Sequence, residues 1–205
     1  MNPIVLYRYP LSGHAHRIEL FLSLLGLPVR LVNVDLRARE QKAPEFLRKN
    51  PFGQVPVIED GGVTLADSNA ILVYLAQRYD KTGTWLPREP VAAARVQQWL
   101  SVAAGPLATG PAAARAVKLF NAPYDHSRAV AIAGPLFHVM DQALASGVFL
   151  TGAVPTIADI ATYTYTAHAP EGGVSLEPYA NIRAWLSRIE ALPGFVPMQR
   201  SPVTA

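Results

Sequence analysis

Cysteine is absent from all 205 residues. That gap removes disulfides, cysteine-ligated zinc, iron–sulfur clusters and cysteine nucleophiles. Any sulfur chemistry must therefore use a sulfur that arrives with a ligand. Charge is also sparse, at 16% of residues against 50% hydrophobic, the reverse of a disordered composition. Eighteen basic residues face fifteen acidic ones for a formal charge of +3. The one dense basic stretch, Arg37 to Lys49, is interrupted by Glu40 and Glu45. This patterning argues against a nucleic-acid partner. No unbroken apolar run of about 18 residues occurs. The opening Met1-Asn2-Pro3-Ile4-Val5 has neither the basic region nor the apolar core of a secretory signal. The expectation is a cytoplasmic protein that does not enter a membrane.

What is present changes character near residue 80. Ile4-Val5-Leu6-Tyr7 reads as a short buried strand that stops at Pro10. Ile18, Phe21, Leu22 and Leu25 then follow helical spacing, with Gly26 and Pro28 as stop signals. Val29 to Val34 reads as a second strand, and Pro44 opens a short helix running to Lys49. Val55-Pro56-Val57-Ile58 and Val63-Thr64-Leu65 flank Glu59-Asp60-Gly61-Gly62, a hairpin signal. Ser68 opens a helix through Tyr79. The order β-α-β, short helix, β-β, α predicts a right-handed crossover between the first two strands. Residues 81–88 have linker composition, and the remainder, 89–205, is rich in alanine and leucine with helical periods. Ile182, Trp185, Leu186 and Ile189 form one such stripe. Thr156-Ile157-Ala158-Asp159 is a capping box with Asp in place of the commoner Glu. The Gly-Pro pairs at 105–106, 110–111 and 134–135 are expected to break or kink the two long helices they fall in. The fold class is thus an α/β domain, 1–80, followed by an all-α domain.

Three segments of the first domain could carry chemistry. Ser12 falls at the start of the first helix, where a hydroxyl, unsatisfied N–H groups and the positive dipole end suit an anion or thiolate; an ordinary cap reads the same way. Asn50-Pro51-Phe52-Gly53-Gln54-Val55-Pro56 places a proline at a strand opening, as an edge-strand residue or as a cis proline that leaves the Val55 backbone free for an extended ligand. Ala66-Asp67-Ser68-Asn69 opens a helix with a carboxylate, a hydroxyl and N–H donors at one spot, the complement of a zwitterion.

These three motifs, in this order and at these separations, resemble the cytosolic glutathione transferases along the whole chain. Glu40 to Leu47 and Asn50 to Pro56 are most similar to the serine-type, phi- or theta-like classes. The resemblance implies a thioredoxin-like α/β domain followed by an all-helical bundle domain that walls an electrophile site in the cleft between them. It implies glutathione as co-substrate, no tightly bound cofactor, no metal, a small hydrophobic electrophile as second substrate, and a homodimer. In that dimer the first domain's last helix and hairpin pack on the partner's first long helices. Ser12 matches the serine that hydrogen-bonds the glutathione sulfur. Gln41 and Lys42 fall where the family has a His-Lys pair on the glycyl carboxylate; Gln41 departs from the pattern and keeps hydrogen bonding without charge. Gln54 matches a glycyl-side contact, and Val55 would pair its backbone with the cysteinyl unit ahead of cis-Pro56. Asp67, where Glu is commoner, would hold the γ-glutamyl ammonium, and Ser68 its α-carboxylate. A glutathione peroxidase side activity fits the same chemistry.

Some residues admit other readings. Tyr7 and Tyr9 lie where tyrosine-type transferases activate the thiol. His14 and His16, two apart on a helix, diverge by about 200° and make a poor metal pair, so they read as surface or second-substrate-site residues. Tyr163 and Tyr165 read as divided between core and pocket wall. Neither a Gly-x-Ser-x-Gly elbow nor a Walker or Rossmann glycine motif occurs. The rival to a transferase is a binding or assembly module that keeps the fold without turnover.

Overall fold

The computed structural model describes residues 2–201. The chain divides into two compact units. One runs to Lys81 and takes back Leu192–Gln199; the other begins at Thr82, runs to Ala191 and resumes at Arg200.

The first unit is a four-stranded sheet with helices on both faces. Its elements are β1 (Ile4–Arg8), α1 (Gly13–Leu24), β2 (Val29–Asn33), a 3₁₀ turn (Glu40–Lys42), the single-turn α2 (Pro44–Leu47), β3 (Val57–Asp60), β4 (Val63–Ala66) and α3 (Ser68–Tyr79). Strand order is β2-β1-β3-β4; β1 and β2 are parallel, while β3 is antiparallel to both β1 and β4. Period-2 alternation sorts the two faces. Leu6 and its partner Ile58 are fully buried. On the opposite face Tyr7 and its partner Val57 pack with Phe46 of α2 and with Val34. β3 opens at Val57, two residues later than its apolar run, because the segment ahead of it is shaped by Pro56.

The β3–β4 turn places Gly61 and Gly62 at φ +55° and +92°, the paired positive φ that a two-residue hairpin loop requires. Asp60, at the foot of that turn, accepts from the hydroxyls of Tyr74 (2.8 Å) and Tyr79 (2.5 Å), tying the hairpin to α3. Burial, and then the Asp60 charge, pushes Tyr74 up to about 12, so the phenol remains a donor at neutral pH. On the α2 side Tyr7 donates to Glu59 (2.9 Å), and Lys49 pairs with the same carboxylate. The returning Leu192–Gln199 segment lies along α1. Ser23 Oγ donates to Gly194 O at 2.7 Å, and His16 Nε2 donates to Val196 O at 2.9 Å. His16 is only 3% exposed, so it belongs to this packing and not to the surface.

The second unit is helical: α4 (Pro90–Ala104), a π-helical turn (Ala108–Ala112), α5 (Ala113–Phe120), α6 (His126–Ala145), α7 (Ile157–Ala167), a 3₁₀ turn (Ala169–Gly172) and α8 (Ala180–Glu190). The Gly-Pro pairs act unequally. α4 ends before Gly105, and Pro111 sits within the π turn, but α6 continues through Gly134-Pro135 without interruption. Between these breaks and Pro135 lies the difference that the first pairs cluster within seven residues, whereas Pro135 stands alone in twenty helical residues that can absorb one missing donor. α7 is buried from Ile157 to Thr166. Tyr163 and Tyr165 are therefore both buried, and Tyr163 donates to Glu190 at 2.9 Å.

The capping box at Thr156 anchors this unit. Fully buried Asp159 accepts from Thr156 N (2.9 Å), Leu150 N (3.0 Å) and Trp185 Nε1 (2.9 Å). Burial raises its carboxyl above the ordinary range, against the pull of those donors. Past the other end of α7, Glu171 pairs with Arg115 at 2.5 Å and with His168 at 2.7 Å. Asp159→Ala strands three buried donors at about 1–3 kcal/mol each, so unfolding in urea is expected to show a loss of roughly 3 kcal/mol or more. Thr156→Ala, a cap loss, is expected to cost only about 1 kcal/mol. Equal losses in the two variants would contradict the role of Asp159 as hub.

Candidate functional site

The strand directions gather the candidate segments. β1 and β2 run together, so the loops leaving Arg8 and Asn33 emerge at the same end of the sheet. β3 runs the other way and begins at that end, with Val57 opposite both Tyr7 and Ala66. β4 in turn finishes there. Tyr9 to Ser12, Gln41-Lys42, Gln54 to Pro56 and Asp67-Ser68 therefore all lie at one edge of the first unit.

Ser12 is the N-cap of α1. Its Oγ accepts from Ala15 N at 3.2 Å, and its own N–H donates to Tyr9 O at 2.9 Å. A hydroxyl holds one proton and two lone pairs. Because the helix end occupies a lone pair, the proton is left to donate outward, beside the positive end of α1. Tyr7 differs, since its proton is committed to Glu59 on the α2 side of the sheet. Tyr9 lines a recess of about 410 Å³ together with Asn33, Asp35 and Arg37.

The Asn50–Gly53 turn lies against Gln41 and Lys42. Asn50, 3% exposed, donates through Nδ2 to Gln54 O (2.8 Å) and accepts from Phe52 N (3.1 Å). Lys42 Nζ donates to Phe52 O at 3.0 Å, which leaves two ammonium protons. Gly53 has φ +57°, and a Cβ there would lie 2.7 Å from Gln41 O and 2.8 Å from Lys42 Nζ. Only glycine permits this approach. Gln41 Nε2 makes a long 3.4 Å bond to Leu36 O, and its buried Oε1 has no protein partner. Gln54 is exposed, and the Val55–Pro56 bond is cis.

Asp67 is the N-cap of α3, accepting from Asn69 N and Ala70 N at 2.9 Å each. Its backbone is at φ +68°, ψ 121°, a strained conformation for any side chain other than glycine, worth about 1–3 kcal/mol. Both bonds use Oδ1, and the residue is exposed, which leaves Oδ2 as an acceptor for a cation. Ser68, 5% exposed, receives Arg17 Nη1 at 3.2 Å and stands 3.2 Å from His14 Nδ1. Arg17 is fully buried and also donates to Asn69 Oδ1 at 3.1 Å. Burial, and then the Arg17 charge, pushes His14 down to about 3, so the ring is uncharged at neutral pH.

His14 thus bonds at the opening of α3, and the starts of α1 and α3 meet. Asn50, Gly53, His14 and Arg17 were not assigned to the site on spacing. The Asn-Pro-x-Gly turn signal marks the first two; nothing local marks the partnership of His14 and Arg17 with residues more than fifty positions away.

Comparison with known proteins gives the family. Residues 2–77 match the family model described as glutathione S-transferase, N-terminal domain, and residues 129–193 match the C-terminal domain model. Glutathione S-transferase 3 of Zea mays is 32% identical, over 95% of this chain and 92% of its own length. This chain belongs to the glutathione S-transferase family. Another relative, the disulfide-bond oxidoreductase YfcG of Escherichia coli, is 34% identical over 93% of this chain and 91% of its own. Among solved structures, a glutathione transferase homolog from Drosophila mojavensis with bound glutathione superposes with a TM-score of 0.85 at 26% identity, covering 94% of this chain and 90% of that one. The thioredoxin-like sheet unit and the helical unit are the two halves of that family's fold.

Proposed function

We propose that this family member is a glutathione transferase in which Ser12 activates the thiol of glutathione and a small hydrophobic electrophile receives it. The observation that carries the reading is the Ser12 hydroxyl, whose lone pair caps α1 while its proton stays uncommitted at the helix end. In the reaction the glutathione thiol loses its proton to solvent. The thiolate then attacks an electrophilic carbon, a C–S bond forms, and the leaving group departs with its electron pair. The proposed ligand contacts are Gln41, Lys42 and Gln54 on the glycyl side, the Val55 backbone ahead of Pro56 on the cysteinyl unit, and Asp67 and Ser68 on the γ-glutamyl end. Lys42 supplies charge for the glycyl carboxylate, and Gln41 adds an amide that can turn its N–H toward it. No tightly bound cofactor takes part in this scheme.

The YfcG relative favours a second reading, in which the same thiolate attacks a disulfide sulfur in place of carbon. The chain has no cysteine, so the resolving thiol would come from a second glutathione, leaving glutathione disulfide and a reduced product. Turnover of a generic aryl halide against turnover of a small glutathionyl disulfide separates the two. Retention on immobilised glutathione with neither activity would instead favour a binding module.

An ordinary thiol has a pKa of about 8.5 and is only a few per cent thiolate at pH 7. Lowering it by about two units requires roughly 2.7 kcal/mol, within reach of one charge-assisted bond plus the helix end. Ser12→Ala is expected to retain glutathione affinity while turnover near neutral pH falls about ten- to a hundredfold. The deficit shrinks at high pH, where the thiol ionises unaided. Thiolate absorbance of bound glutathione against pH checks this, and an unchanged titration would move the role to Tyr9 or to backbone N–H groups. Asp67→Asn keeps an acceptor for the α3 cap and tolerates positive φ but removes the charge. Its melting temperature is expected to stay near wild type while glutathione affinity drops roughly ten- to a hundredfold, as read by calorimetry. Normal binding by a destabilised variant would make Asp67 a cap alone. A homodimer is also proposed; sedimentation at micromolar protein is expected to give about twice the chain mass of 22.2 kDa, and a monomer mass would refute it.

A further inference from the structure

The Ser68 hydroxyl stands in an arrangement that a simple carboxylate contact does not require. Its oxygen has two lone pairs and one proton. Arg17 can only donate, so its Nη1, 3.2 Å away, takes one lone pair. His14 Nδ1 is 3.2 Å from the same oxygen, and an imidazole nitrogen can play either part depending on its tautomer. If Nδ1 is bare, Ser68 donates its proton to His14 and has none for a ligand. If Nδ1 carries the proton, His14 donates into the second lone pair, and the Ser68 O–H points outward with two donors behind it.

We propose that His14 is a positioning residue for the γ-glutamyl end of glutathione, its tautomer deciding whether Ser68 can donate to the ligand's α-carboxylate. This rests on the reading of Asp67 and Ser68 as the seat of that end. Without ligand, Ser68 can donate to His14 Nδ1, 3.2 Å away, and the ring is then the Nε2–H form. A carboxylate arriving at the start of α3 is a stronger acceptor than the imidazole. Ser68 turns to it, and the His14 proton moves from Nε2 to Nδ1 through solvent, so that the proton count of the protein is unchanged. Because the ring is neutral at working pH, tautomer exchange rather than charging is the available response. The arrangement selects a hydrogen-bond acceptor at this end of the ligand, since a donor or an empty position leaves Ser68 bonded to His14.

Tautomers are read directly by long-range ¹H–¹⁵N correlation on protein labelled at its five histidines, with His14→Asn assigning the signal. The expected result is Nε2–H in the free protein and Nδ1–H at saturating glutathione. γ-Aminobutyryl-cysteinyl-glycine, which is glutathione without that α-carboxylate, is expected to leave the ring as Nε2–H. Ser68→Ala is expected to abolish the response and to cut the preference for glutathione over the analogue about tenfold. Saturable glutathione binding with no tautomer change overturns the role of His14, as does a change produced equally by the analogue. Absence of any saturable glutathione binding overturns the seat itself, and this inference with it.

Discussion

The antiparallel entry of β3 beside β1 is the constraint on which the candidate site depends. Had β3 run parallel to β1, the Gln54–Pro56 segment would open at the far end of the sheet, and Asp67 would follow it there. The observed pairing of Val57 with Tyr7 and Ala66 instead makes one strand begin where three others finish. The Asn50–Gly53 turn serves that reversal. Asn50 bonds the backbone on both sides of the bend, and Gly53 lets the bend lie on the Gln41–Lys42 turn without a side chain between them.

At that edge the protein uses its own backbone and side chains to occupy the acceptor sides of short polar groups. Ser12 accepts from the α1 end. Ser68 accepts from Arg17. Asp67 gives one carboxylate oxygen to the α3 end and keeps the other. Each group is thereby held in place by the interaction that also fixes what it can offer a ligand. Caps that stabilise helices and the groups proposed to meet a ligand are here the same side chains, which couples the folding of α1 and α3 to the polarity of the site. The strained backbone at Asp67 fits this economy, because the turn that strains it is the one that brings the carboxylate to the edge.

Much of this was legible in the sequence, and the illegible part has a common physical cause. Strands followed from short apolar, β-branched runs, the hairpin from the Asp60-Gly61 pair between two of them, and Thr156 with Asp159 from the spacing of a capping box. Those signals are local. Ser12, Asp67 and Ser68 were visible because caps are local too, although only the resemblance to a family gave them a ligand. The unread features all join residues far apart in sequence: His14 with Ser68, Asp60 with Tyr74 and Tyr79, and His16 with Val196. His16 looked like a surface residue because its covering segment lies 180 positions later. At Pro135 the helix does not break, since a proline weakens a helix locally but does not end one that tertiary packing holds along its length.

The Leu192–Gln199 segment has a consequence for how the protein is made. Synthesis runs from the N-terminus, so the sheet unit leaves the ribosome complete in every strand yet lacking the piece that covers α1. The 110 residues from Thr82 to Ala191 must be added first, a wait of roughly 5 to 20 seconds at ordinary elongation rates. Through that interval His16 and Ser23 lack the Val196 and Gly194 carbonyls that they bond in the folded unit. The sheet unit is therefore completed only after the helical unit has been made.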